Sequence, residues 1–190
     1  MQSREADHEI RYAEYMNMIN MTYSEAVAYL LNKYGPVKDN YFNEKSYQRF
    51  LNGEIKSISK GECARTSEGL YTHHVDENRA ENLSDLRFIR HYQYPFSMHR
   101  KDRLVYADLI EHLILHAIIT KETDGRFGEK GYSVFLAPNV DQWFISKKMP
   151  DPEWMKAVYR RSFLTKEEAK RLLEQIDSGP RAKVARYYRI

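Results

Sequence analysis

Two close pairs of histidines constrain this chain more than any other feature of its sequence. The chain has seven histidines in 190 residues, and four of them form the pairs His73-His74 and His112/His116. The first pair lies in a short run, residues 70–75, whose pattern predicts a strand. Adjacent side chains on a strand point to opposite faces, so His73 and His74 can serve different roles.

The second pair is spaced i, i+4 in the segment that most resembles a helix, residues 103–120, for which Asp102 is the expected N-cap. This spacing places both side chains on one helix face, as a two-histidine metal clamp requires. The same face carries apolar residues, and a buried neutral imidazole needs a partner. His112 and His116 are therefore candidate metal ligands.

The single cysteine, Cys63, excludes an intrachain disulfide and a cysteine-rich zinc site. Any metal must then be held by histidine and carboxylate, which favours a catalytic site over a structural one. A net charge of +3 permits nucleic-acid binding without arguing for it. No apolar run is long enough for a membrane span, and the start of the chain is polar, so we expect a soluble, cytoplasmic protein without a membrane partner.

The elements predicted along the chain are mostly helical, which indicates a helix-dominated α+β fold in one compact domain. Residues 1–54 form a helical segment, 55–122 the core with a loop insertion at 76–101, and 123–190 a mostly helical segment with a basic tail. The individual predictions are helices over 3–20, 22–34, 41–53, 103–120, 154–163 and 165–175, and strands over 55–58, 70–75 and 132–136.

The histidine pairs and their surroundings resemble the HNH, or ββα-metal, endonuclease family. The resemblance rests on Leu70-Tyr-Thr-His-His-Val-Asp-Glu-Asn78, on Asp102-Arg-Leu-Val-Tyr106, and on Glu111-His-Leu-Ile-Leu-His116. It covers roughly residues 65–120 and implies a finger made of a small antiparallel β-hairpin and a helix. The spacing from the first pair to the second is longer than in compact members, which implies an insertion between hairpin and helix.

Carried over residue by residue, the resemblance implies that His73, His112 and His116 are metal ligands and that His74 is the general base. The family has an Asn that pins the loop and orients the base, and Asn78 and Asn82 are the candidates here. A neutral histidine with a pKa of about 6.5 can take a proton from water near neutral pH.

The implied activity is metal-dependent hydrolysis of phosphodiester bonds by an endonuclease. The cofactor is one divalent ion, and Zn, Mg, Mn, Ni and Co all stay open. We expect DNA as the substrate, with RNA not excluded, and a homodimer stays open. Roles in restriction, in phage or mobile-element DNA processing, and in toxin action are all compatible.

Four arginines near the finger are candidates for contacts with nucleic-acid phosphates: Arg65, Arg79, Arg87 and Arg103. Asp76 and Glu77 could add a metal ligand, orient a ligating imidazole through a hydrogen bond to its other ring nitrogen, or simply face water. His91 and His99 lie in the insertion, where we expect them at the surface.

Two other functions compete with the nuclease. The first is a non-catalytic nucleic-acid-binding protein that keeps the finger as a metal-stapled scaffold. The second is a helical interaction protein whose histidines are core residues and bind no metal. Metal binding separates the second from the nuclease, and cleavage of DNA separates the first.

Overall fold

Helices dominate the part of the chain that the structure describes. This computed structural model describes the backbone of residues 2–188 and the side chains of residues 8–185, so part of the predicted basic tail lies outside the described residues. The α-helices are α1 (Gln2–Met18), α2 (Tyr23–Tyr34), α3 (Glu44–Leu51), α4 (Leu86–Tyr92), α5 (Leu109–Glu122), α6 (Ala137–Val140), α7 (Glu153–Arg161), α8 (Lys166–Ser178) and α9 (Ala182–Tyr188).

The one sheet in the described residues has two antiparallel strands, β1 (Tyr71–His74) and β2 (Leu104–Ala107). His73 lies opposite Val105 and His74 opposite Leu104. The predicted strand at β1 and the α+β class are confirmed. The predicted β-hairpin is wrong: the two strands are antiparallel neighbours, but residues 75–103, and not a short turn, connect them. The strand over 55–58 is also wrong, and only an isolated bridge between Phe42 and Lys60 lies near it.

The central helix α5 begins later than the sequence suggested. Residues 104–107 are extended because they pair with β1, and Asp108, not Asp102, is the N-cap. The Asp108 carboxylate accepts from the backbone N–H groups of Ile110 and Glu111, and the Glu111 carboxylate accepts from the N–H of Asp108. This capping box satisfies the free donors of the first turn and fixes the start of the helix.

The strand predicted over 132–136 is wrong. Gly131–Leu136 is wound as a π-helix and continues through α6 into a second π-helical stretch, Asp141–Ile145. Tyr132 and Leu136 are buried while the three residues between them are exposed, so the apolar face recurs with helical spacing. This segment packs against α5.

Helix α5 forms the centre of the main core. All but three of its fourteen residues are buried, and α1, α2, β2 and the π-helical segment pack around it. A helix that is buried on nearly every side carries its two histidines into the interior, which positions the site described below. Among the described residues, no helix combines the length and the apolar character that a membrane crossing needs.

The insertion between the strands builds a second, aromatic core with α3. Its buried members come from α3, from α4 and from the loops beside them: Phe42, Tyr47, Phe50, Ile58, Ile89 and Phe96. Residues 76–101 are therefore not a simple loop. They hold α4 and the 3-10 helix Phe96–His99, overlap two further 3-10 helices at Val75–Asn78 and Lys101–Arg103, and place His99 against His74 of β1.

Candidate metal centre

Four side chains from three neighbouring elements converge beside the core. His73 comes from β1, Glu77 from the 3-10 turn Val75–Asn78, and His112 and His116 from successive turns of α5. One ligand atom from each lies within 4.8 Å of every other, so the group could hold a metal ion. The structure thus brings together the three histidines predicted as ligands and adds a carboxylate.

His73 presents an unprotonated nitrogen to this group. The Tyr23 hydroxyl donates to the carbonyl of Val75 at 2.9 Å, so it can only accept from the Nε2 of His73 at 2.8 Å. Burial lowers the pKa of His73 to about 3, which keeps the ring neutral. A neutral ring with its proton on Nε2 has a lone pair on Nδ1, and that buried atom has no partner among the described residues.

His116 is oriented in the same way from the other side. Its Nδ1 lies 3.1 Å from the carbonyl of Gly128, which can only accept, so Nδ1 carries the proton and Nε2 faces the group. Glycine at position 131 permits this arrangement, because a Cβ there would overlap the His116 ring. Gly128 has a φ of +83°, which glycine adopts without strain.

His112 is the least satisfied histidine of the described residues. Neither of its ring nitrogens has a hydrogen-bond partner there, although both are buried. Burial and the neighbouring rings of His116 and His73 hold its pKa well below the ordinary value. A neutral imidazole with two unused nitrogens in the interior needs a ligand that the described protein residues do not supply.

Glu77 completes the group. Its Oε2 lies 3.2 Å from Nε2 of His116 and 3.8 Å from Nδ1 of His73. The sequence offered Glu77 only as one of two acids after the histidine pair. The strand-to-turn transition at Val75 is what directs it back towards His73.

The donor set fits a divalent cation. The lone pairs of His73 Nδ1 and His116 Nε2 face the Glu77 Oε2, which is also an acceptor, at 3.8 Å and 3.2 Å. His112 adds a ring whose nitrogens have no hydrogen-bond partner among the described residues. Acceptors in mutual contact repel unless a cation lies between them. Donors on a tetrahedral zinc ion are about 3.4 Å apart for bonds of about 2.0–2.1 Å, so only small movements would close this group around one ion.

The group opens into a cavity of about 620 Å³. Glu77, His112 and His116 form part of its wall, and the π-helical segment and the turn before it form much of the rest. The charged side chains of its wall are the acids Glu77, Glu81, Asp85 and Glu129 and the bases Arg126 and Lys130. A small molecule or a nucleotide can therefore reach the candidate ligand atoms from one side.

His74 points the opposite way, into the aromatic core. Tyr47 donates to the backbone carbonyl of Tyr94 at 2.8 Å, so it accepts from Nε2 of His99 at 3.0 Å. His99 then has a free Nδ1, which accepts from Nε2 of His74 at 3.2 Å. The expectation that His99 lies at the surface is wrong, since it is fully buried and packs against Phe42 and Tyr47.

In the neutral form of His74, this series of hydrogen bonds places the proton on Nε2, and the other nitrogen, Nδ1, faces Glu77. The distance from His74 Nδ1 to Glu77 Oε1 is 3.7 Å. His74 itself is only 2% exposed and does not border the large cavity. Glu77 therefore lies between His74 and the cavity.

The two candidate asparagines form no hydrogen bond with the group. Asn82 borders the large cavity and Asn78 a smaller one, and neither side chain forms a hydrogen bond with a described residue. The loop after β1 is instead pinned by Asp76, whose buried carboxylate binds Arg103 at the start of β2.

The four candidate arginines separate into two kinds. Arg65 and Arg87 each pair with a carboxylate of their own, Glu68 and Asp85 respectively. The other two, Arg79 and Arg103, share the single carboxylate of Asp76. His91, by contrast with His99, is exposed on α4 as expected.

Comparison with known proteins finds no matching family model, no matching curated protein and no matching solved structure.

Proposed function

We propose that this protein is a metal-dependent endonuclease of the HNH kind that hydrolyses phosphodiester bonds of DNA. One observation carries the proposal. Ring nitrogens of His73, His112 and His116 converge with the Glu77 carboxylate at the wall of an open cavity, and three of those buried nitrogens have no hydrogen-bond partner among the described residues. The same three histidines are the ligands that the resemblance implies.

The order of the elements supports the proposal. Two antiparallel strands are followed directly by the helix that carries His112 and His116, which agrees with the ββα order that the resemblance implies. The loop-pinning role assigned to an asparagine would fall here to the ion pair between Asp76 and Arg103. An ion pair with two hydrogen bonds can fix a loop at least as firmly as one amide.

In this proposal His73, His112 and His116 hold the ion, while Glu77 and His74 handle the proton. When bound, a divalent ion would polarise a phosphodiester oxygen and stabilise the negative charge that develops in the reaction. Glu77 passes a proton from a water molecule in the cavity to the base, His74, whose Nδ1 lies 3.7 Å from the other Glu77 oxygen. The hydroxide attacks the phosphorus, the bond from phosphorus to the 3′ oxygen breaks, and a second water in the cavity protonates that oxygen.

The experiment is a plasmid-cleavage assay with Mg, Mn, Co, Ni and Zn, combined with calorimetric metal titration of each variant. We expect wild-type protein to nick the plasmid. His74→Ala should lose cleavage and keep the metal, whereas His73→Ala should lose both. Normal cleavage by His74→Ala would show that His74 is not the base, and no cleavage by the wild type with any metal would contradict the nuclease.

One observation favours a second candidate function, a nucleic-acid-binding scaffold stapled by the metal. Glu77 brings the number of protein donors to four, the number typical of structural sites. The variant Glu77→Gln separates the two functions. In the nuclease it loses cleavage and still binds metal with three histidines. In the scaffold it loses metal affinity and thermal stability together, and the wild type cleaves nothing.

A further inference from the structure

Arg79 and Arg103 share one carboxylate, that of Asp76, whereas Arg65 and Arg87 each have a carboxylate of their own. Asp76 is only 1% exposed, its carboxylate accepts from Nε and Nη2 of Arg103, and it forms an ion pair with Nη2 of Arg79 at 2.7 Å. The two arginine side chains themselves are 41% and 62% exposed. One buried acid thus holds two accessible guanidinium groups in place, and the three residues together carry a net charge of +1.

These residues line a separate cavity of about 310 Å³. Asp76 is its only acid, and the rest of its wall is neutral, including Tyr23, Asn78 and Val75. The large cavity at the metal-binding group has four acids and two bases in its wall, so its own charge is negative. Of these two cavities, only the small one attracts an anion through the charge of its wall.

The small cavity borders the metal-binding group. Tyr23 lines it and also accepts the hydrogen bond from His73, and Asp76 is the chain neighbour of Glu77. The Arg103 guanidinium uses one edge on Asp76, so its Nη1 donors are unused by the described residues, as are Nε and Nη1 of Arg79. Several guanidinium donors aimed at solvent from fixed positions match the oxygens of a phosphate group.

We propose that Arg79 and Arg103, aligned by Asp76, bind a backbone phosphate of the nucleic-acid strand next to the one at the metal centre. This inference rests on the proposed function for the identity of the strand as substrate. Asp76 acts as a positioning residue, because it fixes both side chains before the strand arrives and so reduces the entropy lost on binding. The positive charge of this subsite attracts the nucleic-acid strand, and the metal centre hydrolyses the neighbouring phosphodiester of that strand.

The test is binding of a short fluorescent DNA duplex to the full-length protein in EDTA, followed by anisotropy over a series of KCl concentrations. Each phosphate contact contributes about 0.9 to the slope of log affinity against log salt concentration. We expect Arg79→Gln to lower that slope by about one and to weaken binding several-fold at low salt. The control is Arg49→Gln, since Arg49 is similarly exposed at 59% but has its own partner, Glu54.

A second variant separates charge from geometry. Arg103→Lys keeps the charge and loses the two-pronged contact with Asp76, so we expect weaker binding with the salt slope retained. Circular dichroism of each variant establishes that it is folded. Equal slopes for Arg79→Gln and Arg49→Gln would overturn the subsite, and so would a wild-type protein that binds no duplex.

A further arm tests free phosphate as the alternative ligand. Inorganic phosphate is titrated at constant ionic strength while the Nε resonance of Arg103 is followed by NMR. A response to phosphate without duplex binding would mean a site for the free ion and would overturn the proposal. Because no measurement here requires turnover, a protein that shows the expected slopes but cuts no plasmid would refute the nuclease alone.

Discussion

The two faces of strand β1 treat adjacent histidines in opposite ways. His73 and His74 are both buried, at 0% and 2% exposed. On the first face, Nδ1 of His73 and both nitrogens of His112 have no partner among the described residues. On the second, a chain of hydrogen bonds runs from His74 to the backbone of Tyr94. An unpaired buried polar group costs about 1–3 kcal/mol. The unpaired nitrogens of the first face therefore lower the free energy of unfolding, whereas the hydrogen-bonded groups of the second face do not. The first face is therefore the one on which a metal ion could be held.

The largest effect is expected from His112→Leu, which removes a ligand and two unpaired nitrogens at once. Metal affinity should fall by more than about 100-fold, the upper end of what losing an outer partner costs. The metal-free protein should become more stable by about 1–3 kcal/mol, because no buried nitrogen is left unsatisfied at this position. Calorimetric titration and urea unfolding in EDTA measure the two effects.

The matched control is His91→Leu on the exposed side of α4, which should change neither quantity appreciably. A loss of stability in metal-free His112→Leu would mean that the His112 nitrogens are satisfied after all. The contrast between the two faces of β1 would then disappear.

Much of the metal-binding group could be predicted because its signals are local. The i, i+4 spacing of His112 and His116 and the strand pattern at His73 each depend on a few neighbouring residues. The capping box at Asp108 was also in the sequence, as Asp followed three positions later by Glu111. It was missed because the apolar residues of β2 continue the apolar pattern of α5 without a break. A fully buried strand of four residues cannot be told from a helical turn by periodicity.

The rest depends on contacts between distant parts of the chain. His99 is buried because Tyr47 of α3 and Phe42, just before α3, pack against it, and nothing near His99 in the sequence indicates those partners. The π-helical segment at Gly131 has strand-like composition, and it is helical where it packs against α5. Glu77 enters the group through a turn whose geometry is fixed by the ion pair between Asp76 and Arg103.

The second prediction concerns the satisfied face and its dependence on pH. Burial, reinforced by the neighbouring His74, lowers the pKa of His99 to about 3, whereas an unfolded histidine titrates near 6.5. The folded state therefore requires neutral His99. The stability that this provides is complete above about pH 6.5 and is lost as the pH falls towards 3. Between pH 7 and pH 5 the loss from this residue should be about 2 kcal/mol.

Urea unfolding in EDTA at pH 7 and pH 5 measures this loss, with His99→Leu as the variant. At pH 7 the variant should be less stable than the wild type, because Nε2 of His74 loses its acceptor. Its stability should fall by about 2 kcal/mol less than that of the wild type when the pH is lowered to 5. Identical pH dependence in the two proteins would show that the folded state does not require a neutral His99.

The smallest effect is expected from Tyr47→Phe, which alters the proton positions on the satisfied face. Without the hydroxyl, Nε2 of His99 has no acceptor, and the free energy of unfolding should fall by about 1 kcal/mol. His99 can then carry its proton on Nδ1 and donate it to Nε2 of His74, which moves the His74 proton to Nδ1, opposite Glu77. Ring-nitrogen NMR of the histidine-labelled protein reports this change of tautomer directly.

The control for this variant is Tyr94→Phe. It removes a hydroxyl that donates to the carbonyl of Glu81 and takes no part in the hydrogen bonds that link His74, His99 and Tyr47. It should leave the His74 tautomer unchanged. The ring-nitrogen signals of His73 should stay the same in both variants, because Tyr23 sets that tautomer from the other face. If His74 keeps its proton on Nε2 in Tyr47→Phe, something other than the Tyr47 chain orients it. The two faces of β1 would then differ in their unpaired nitrogens but not in how their rings are held.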